Sequence, residues 1–295
     1  MRCPKVLTIN IANYQNTVYE WAGEGPTVLF CHATGFHGRI WDQVISKLPY
    51  FHCIAIDLRG HGLSSKPPPP YPWDSFVPDI KCIIETLGLT NIIGVGHSMG
   101  GHIITSLATN IEENIKGLVL CDPSLFEEER YKSIQSYKNN PKDHPVSKRR
   151  NEWSEPMEMY ERLKKHPNFV GWEDEVLKDY CKYGLTINPD TGKFNLSCPP
   201  IIEASMYDSY INPSVLDRIS KYEKPVHVLL AKEKPFTNEV HKIKSADFGP
   251  SITRPDIINL FPNCYGQRYP ENSHFISMEN TQLVADAISN MVETI

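Results

Sequence analysis

The run Asn91–Gly101, NIIGVGHSMGG, constrains this chain more than any other stretch. Ile92, Ile93 and Val95 make an apolar, β-branched run that stops at G-x-S-x-G, and a helix-compatible segment from His102 to Ile111 follows at once. Strand, sharp turn and helix are the context a nucleophile elbow requires. Small neighbours let the serine backbone take a strained conformation and present its hydroxyl. A plain Gly/Ser turn between two elements is the competing reading, and the rest of the chain must decide between them.

The 295 residues are enough to bury a substantial core, either as one α/β domain or as a domain carrying an insertion. With 40% hydrophobic and 22% charged residues, the composition is that of an ordinary globular chain. The formal charge is 30 − 35 = −5, and the short basic triplet Lys148–Arg150 stands alone, which argues against nucleic acid as a partner. Thr86 to Ile111 carries no Asp, Glu, Lys or Arg. Its histidines, glycines and hydroxyls, and the strand character of its first half, argue against a membrane span. Met1 to Thr8 has no apolar core of the kind a secretory leader carries. The eight cysteines are scattered without C-x-x-C spacing, and Cys31, Cys53 and Cys121 fall in apolar runs. There a reduced thiol acts as a small hydrophobe, so a reducing, cytoplasmic location is expected.

The alternation of elements points to a parallel α/β sheet. Val6–Ile11 and Thr17–Trp21 read as a hairpin. Thr27–Cys31, Cys53–Ile56, the elbow strand and Ile115–Cys121 are continuously apolar, as strands buried on both faces are. Trp41–Leu48 and Phe76–Leu87 have helical spacing between them. After Asp122 the texture changes. From about Ser124 to Tyr222 helix-prone pieces such as Phe126–Tyr137 and Pro156–Lys165 are broken by prolines, with no convincing buried strand. Such a block reads as an inserted helical cap over 123–222, between core segments 1–122 and 223–295. Aromatic and Met residues are dense there; individually they are best read as a small core, collectively as candidates to line a substrate channel. Strands at Val226–Ala231 and Ile257–Phe261 and a helix at Thr281–Met291 close the chain. The loop from Lys232 to Pro255 is long enough to form an extra flap.

Four landmarks now stand in order: H-A-T-G (32–35), D-L-R-G-H-G-L-S (57–64), G-H-S-M-G (96–100) and S-H-F-I-S-M-E (273–279). Together they resemble the α/β-hydrolase superfamily, over essentially the whole chain outside the inserted block. The resemblance implies a mostly parallel eight-stranded sheet with flanking helices and a cap. It also implies a Ser-His-acid triad. A serine hydroxyl is a poor nucleophile unless a base takes its proton as the new bond forms. Ser98 is the expected nucleophile and His274, in the loop before the terminal helix, the expected base. His32, His61 and His97 fall in motif turns where the resemblance implies packing roles.

The base needs a carboxylate on its second nitrogen, and here two candidates remain. Many relatives place the acid just past the penultimate strand, where this chain reads Ala231-Lys232-Glu233-Lys234, with Lys234 at the expected acid position. Glu233 is displaced from it by one residue. Asp122 ends the strand after the elbow helix, as in other branches, and is favoured. For the oxyanion, the resemblance implies the backbone N–H groups of Met99 and of Thr34 or Ala33. It implies only a structural role for Asp57–Ser64.

A carboxylesterase-like serine hydrolase acting on a small-molecule ester or related acyl compound is therefore expected, working through an acyl-enzyme. Ser98 argues against the haloalkane dehalogenase and epoxide hydrolase branches, whose elbow carries a carboxylate. Carbon–carbon bond hydrolysis, lyase or perhydrolase chemistry on the same residues, and a ligand-binding receptor of the same fold, are the alternatives. No metal-ligand spacing is present, and Met99 occupies the third glycine position of a dinucleotide fingerprint. No cofactor and no metal are expected.

Overall fold

A computed structural model describes residues 2–111, 113–136, 140–233 and 249–295. Its frame is an eight-stranded sheet ordered β1-β2-β4-β3-β5-β6-β10-β11. The strands are β1 (Lys5–Ile11), β2 (Tyr14–Trp21), β3 (Thr27–Cys31), β4 (His52–Ile56), β5 (Ile92–His97), β6 (Ile115–Cys121), β10 (Val226–Leu230) and β11 (Cys264–Arg268). The first two form an antiparallel hairpin, β2 pairs antiparallel with β4, and every other pairing is parallel. Apolar side chains cover both faces of the central strands, so every residue of β5 is buried. One core layer gathers Leu29, Ile54, Ile92, Ile104 and Leu118, the other Val28, Phe30, Ile93, Val95 and Val119.

Parallel strands need crossovers. These are α1 (Asp42–Ser46), α2 (Val77–Leu87) and α3 (Met99–Ala108), with α9 (Ile257–Leu260) between β10 and β11. The chain closes with α10 (Ile276–Glu279) and α11 (Thr281–Val292). Between β6 and β10 lie α4 (Glu128–Ser136), α5 (Pro156–Leu163), α6 (Asp174–Tyr183), α7 (Pro200–Tyr207) and α8 (Val215–Ile219).

The structure departs from the sequence reading in two places. The stretch around Ile257–Phe261 is not a strand: residues 257–260 are helical and the last strand is β11, whose sequence CYGQR is mostly polar. As the edge strand it pairs on one side only, and its alternating half-buried pattern needs no apolar run. The segment between β6 and β10 also contains a three-stranded antiparallel sheet, β7 (Glu152–Trp153), β8 (Leu185–Ile187) and β9 (Phe194–Leu196), ordered β7-β9-β8. Strands of two or three residues are too short to show a period of two. The flap anticipated between Lys232 and Pro255 falls largely on positions 234–248, outside the described residues.

The topology carries the loops after β3, β5, β6 and β10 to one edge of the sheet. In open α/β sheets that carboxyl edge is where ligands bind. Among the described residues, no helix is long and apolar enough to cross a membrane.

Candidate active site

Ser98 stands between β5 and α3 with φ 53° and ψ −120°, a conformation sparsely populated by residues other than glycine. Three backbone bonds hold it there: Ser98 N–H donates to Cys121 (3.2 Å), and the Ser98 carbonyl accepts from Ser124 (2.9 Å) and His102 (3.2 Å). The turn is also packed tightly against β3. A Cβ on Gly100 would stand 2.2 Å from the Cys31 carbonyl oxygen, so only glycine fits. Strain at Ser98 is thus imposed by the neighbouring strands.

From the serine a continuous line of hydrogen bonds runs inward. Ser98 Oγ lies 3.0 Å from His274 Nε2, and His274 Nδ1 lies 2.6 Å from Asp122 Oδ2. A carboxylate can only accept, so Nδ1 carries the proton and Nε2 is left to accept from the serine hydroxyl. Ser98 Oγ also sits 3.3 Å from Ser124 Oγ. The His274 carbonyl accepts from His97 Nε2 (2.8 Å), and the His274 N–H donates to Gly249 (3.1 Å). His97 is buried and its imidazole is held neutral, at about 3, chiefly by burial and by the neighbouring His274.

Asp122 is completely buried and also has a positive φ, 39°. Besides His274, its carboxylate accepts from Ser251 Oγ (2.5 Å), the Ala231 N–H (3.1 Å) and the Ile252 N–H (3.2 Å). Burial by itself would push this carboxyl up; His274, Ser251 and Ala231 outweigh burial and hold it below the ordinary aspartate value. Glu233, the other candidate, is exposed just beyond β10. It is Asp122 that occupies the second nitrogen of His274. Sequence reasoning missed Ser251 and Ser124, since a serine in a Pro-rich loop carries no signal of the partner it will meet.

Thr34 and Met99 also come together. Thr34 Oγ1 donates to Met99 Sδ at 3.2 Å, joining the loop after β3 to the first residue of α3. Two buried histidines shape that loop. His32 Nε2 accepts from the Leu58 N–H (3.1 Å) and His61 Nε2 from the Gly35 N–H (3.0 Å). Both rings must be neutral to accept, and burial lowers both, His32 to about 4. Beneath them Asp57 accepts from the Gly38 N–H (2.6 Å), the Leu63 N–H (2.8 Å) and Tyr19 Oη (2.9 Å), so the 57–64 motif serves as a turn scaffold.

An aromatic cluster closes the histidine side. Trp172 packs edge-on to Phe36 at 5.7 Å and lies 5.3 Å from Phe275, next in sequence to His274. Ser98 is only 9% exposed. Among the described residues, no group of three or more His, Cys, Asp or Glu side chains is arranged to hold a metal ion.

Residues 26–149, which carry β3 through β6 and the elbow, match the family described as alpha/beta hydrolase fold. The whole chain superposes on the crystal structure of E-2-(acetamidomethylene)succinate hydrolase with a TM-score of 0.73 at 20% identity, covering 98% of this chain and 99% of that one. The chain has the α/β-hydrolase fold. A thioesterase domain from the curacin biosynthetic pathway superposes equally well, with a TM-score of 0.74 at 18% identity over 98% of this chain and all of that one. Lipase LipV of Mycobacterium tuberculosis is 35% identical over 111 residues, 37% of this chain and 41% of the lipase. The human serine hydrolase-like protein is 32% identical over 126 residues, 41% of this chain and 62% of that protein. The matches to the lipase and to the serine hydrolase-like protein span less than two thirds of each relative's own length.

Proposed function

We propose that this α/β-hydrolase is a serine hydrolase that cleaves a carboxylic ester or related acyl compound through an acyl-enzyme. The observation that carries the reading is the unbroken line Ser98–His274–Asp122, at 3.0 Å and 2.6 Å, beside a strained elbow. The partial likeness to a lipase and to a serine hydrolase-like protein supports it.

In this reading Ser98 Oγ attacks the acyl carbon while His274 Nε2 takes its proton. Negative charge gathers on the carbonyl oxygen, where the Met99 N–H at the start of α3 and the Thr34 N–H receive it. Collapse of the tetrahedral species breaks the bond to the leaving group, which takes the proton from His274. Water then attacks the acyl-serine, with His274 again removing a proton; the bond to Ser98 Oγ breaks as His274 returns that proton to it, and the acid departs. Asp122 stabilises the imidazolium at each stage without itself becoming protonated. Residues 123–222 act as a cap over the small-molecule substrate, on a core of 1–122 and 223–295. All eight cysteines are free thiols, which supports a reducing, cytoplasmic setting.

The test is product analysis on p-nitrophenyl esters of graded chain length beside a β-diketone. Saturable ester hydrolysis that disappears in Ser98→Ala supports the reading. Cleavage of the diketone alone would move the assignment to carbon–carbon hydrolysis, and no turnover of either would move it to a ligand-binding member of the fold.

A further inference from the structure

The loop that carries Thr34 is also gripped by residues of α6 and α7. Gly35 has φ +80°, and a Cβ on it would lie 2.6 Å from Glu203 Oε1 and 3.1 Å from Oε2. The Glu203 carboxylate, 4% exposed on α7, therefore fills the space a side chain at position 35 would need. On the next two residues sits Tyr180 of α6. Its ring packs edge-on to Phe36 at 5.3 Å and stacks on His37 at 6.0 Å, and its carbonyl accepts from His37 Nε2 at 3.3 Å.

One side chain joins these two grips. Arg149 donates from Nη1 to Glu203 Oε2 at 2.5 Å and from Nη2 to Tyr180 Oη at 3.0 Å. Its planar guanidinium presents donors in a fixed fork, one to each partner. Burying a carboxylate without a partner is costly, and Arg149 is the cation that offsets the burial of Glu203 against Gly35.

We propose that Arg149, through Glu203 and Tyr180, is a positioning residue that clamps residues 35–37 and so fixes the Thr34 N–H in the oxyanion site. Arg149 touches no reacting atom in this arrangement. The catalytic half of the proposal rests on the serine-hydrolase reading; the clamp itself does not.

Hydrogen exchange of the 33–37 backbone, measured by mass spectrometry on Arg149→Met, Arg149→Lys and Glu203→Gln, reads the clamp independently of any substrate. Faster exchange in Arg149→Met and Glu203→Gln than in wild type, with Arg149→Lys intermediate, is expected; Glu203→Gln keeps the side-chain shape should Arg149→Met fold poorly. Unchanged exchange in both would overturn the clamp. In parallel, the phosphonylation rate of Ser98 by a fluorophosphonate, and kcat where an ester is turned over, should fall roughly 10-fold or more, because a displaced donor no longer meets the developing charge. KM should stay within about 3-fold for neutral and carboxylate-bearing esters alike, since the lost interaction forms only in the transition state. Faster exchange with an unchanged phosphonylation rate would refute the catalytic half. A rise in KM confined to the carboxylate-bearing ester would reassign Arg149 to substrate recognition. Absence of ester turnover in wild type would count against the serine-hydrolase reading and leave the exchange and phosphonylation arms to decide this one.

Discussion

Replacing Asp122 by asparagine removes one charge and almost no volume, and its consequences follow from four hydrogen bonds. The carboxylate accepts from His274, Ser251, Ala231 and Ile252. An asparagine oxygen can keep the Ser251 and Ala231 donors, which share Oδ1. Its amide nitrogen then stands where Oδ2 stood, facing His274 Nδ1 and the Ile252 N–H. A donor opposite Nδ1 forces that nitrogen to accept, so the imidazole proton moves to Nε2 and points at Ser98. His274 can no longer take the serine proton. The corresponding wrong-tautomer change in the serine-protease triad lowers kcat about 10⁴-fold, equivalent to about 5 kcal/mol of transition-state stabilisation. Leaving the Ile252 N–H without an acceptor costs a further 1–3 kcal/mol, roughly, of folding stability.

The pH dependence of unfolding supplies an independent reading. A carboxyl held below its ordinary value stabilises the fold above the unfolded value of about 4 and loses that contribution as pH falls through the folded value. Wild type should therefore lose more stability than Asp122→Asn on acidification below about pH 4. The assays are kcat/KM on a p-nitrophenyl ester and denaturant unfolding across pH, with Glu233→Gln as the companion variant. That exposed residue should leave activity within about 2-fold of wild type, as surface substitutions usually do. An Asp122→Asn enzyme within about tenfold of wild type, beside an inactive Glu233→Gln, would refute the reasoning and return the acid to the position after β10.

Gly100→Ala places a methyl 2.2 Å from the Cys31 carbonyl and 2.6 Å from that of His32, so the elbow must move away from β3. Overpacking of this kind costs roughly 1–3 kcal/mol, and thermal unfolding together with Ser98 labelling should both register the change. Ser251→Ala withdraws one donor from a charged acceptor and should destabilise the fold by about 1.5–3 kcal/mol. Because Ala231 and Ile252 still hold Asp122, its kcat should fall far less than that of Asp122→Asn, as steady-state kinetics will read.

The central strands and the elbow were legible because their chemistry is local. A β-branched run buried on both faces needs no partner information, and neither does the serine turn between Val95 and His102. His274 was legible through its place before the terminal helix. What sequence could not supply was pairing across distance. Asp122 and Glu233 both sit past strand ends, and only the fold, by closing 152 residues of separation, sets Asp122 at 2.6 Å from His274. The edge strand β11 escaped for a related reason. With a neighbour on one side only, it has no need of the apolar run that marks Thr27–Cys31, and the more apolar Ile257–Leu260 became a helix instead. Arg149, in sequence only one member of a short basic triplet, is bound to Glu203 and Tyr180, which no local pattern announces.

The central claim is that Ser98 is a nucleophile activated by His274. Its most direct test is covalent capture: wild type, Ser98→Ala and His274→Ala are treated with a fluorophosphonate, and the adduct is located by intact mass and peptide mapping. One adduct per chain, on the peptide containing Ser98, absent in Ser98→Ala and strongly slowed in His274→Ala, is the predicted result. An adduct on another residue, or labelling of Ser98 that proceeds equally fast without His274, would contradict it.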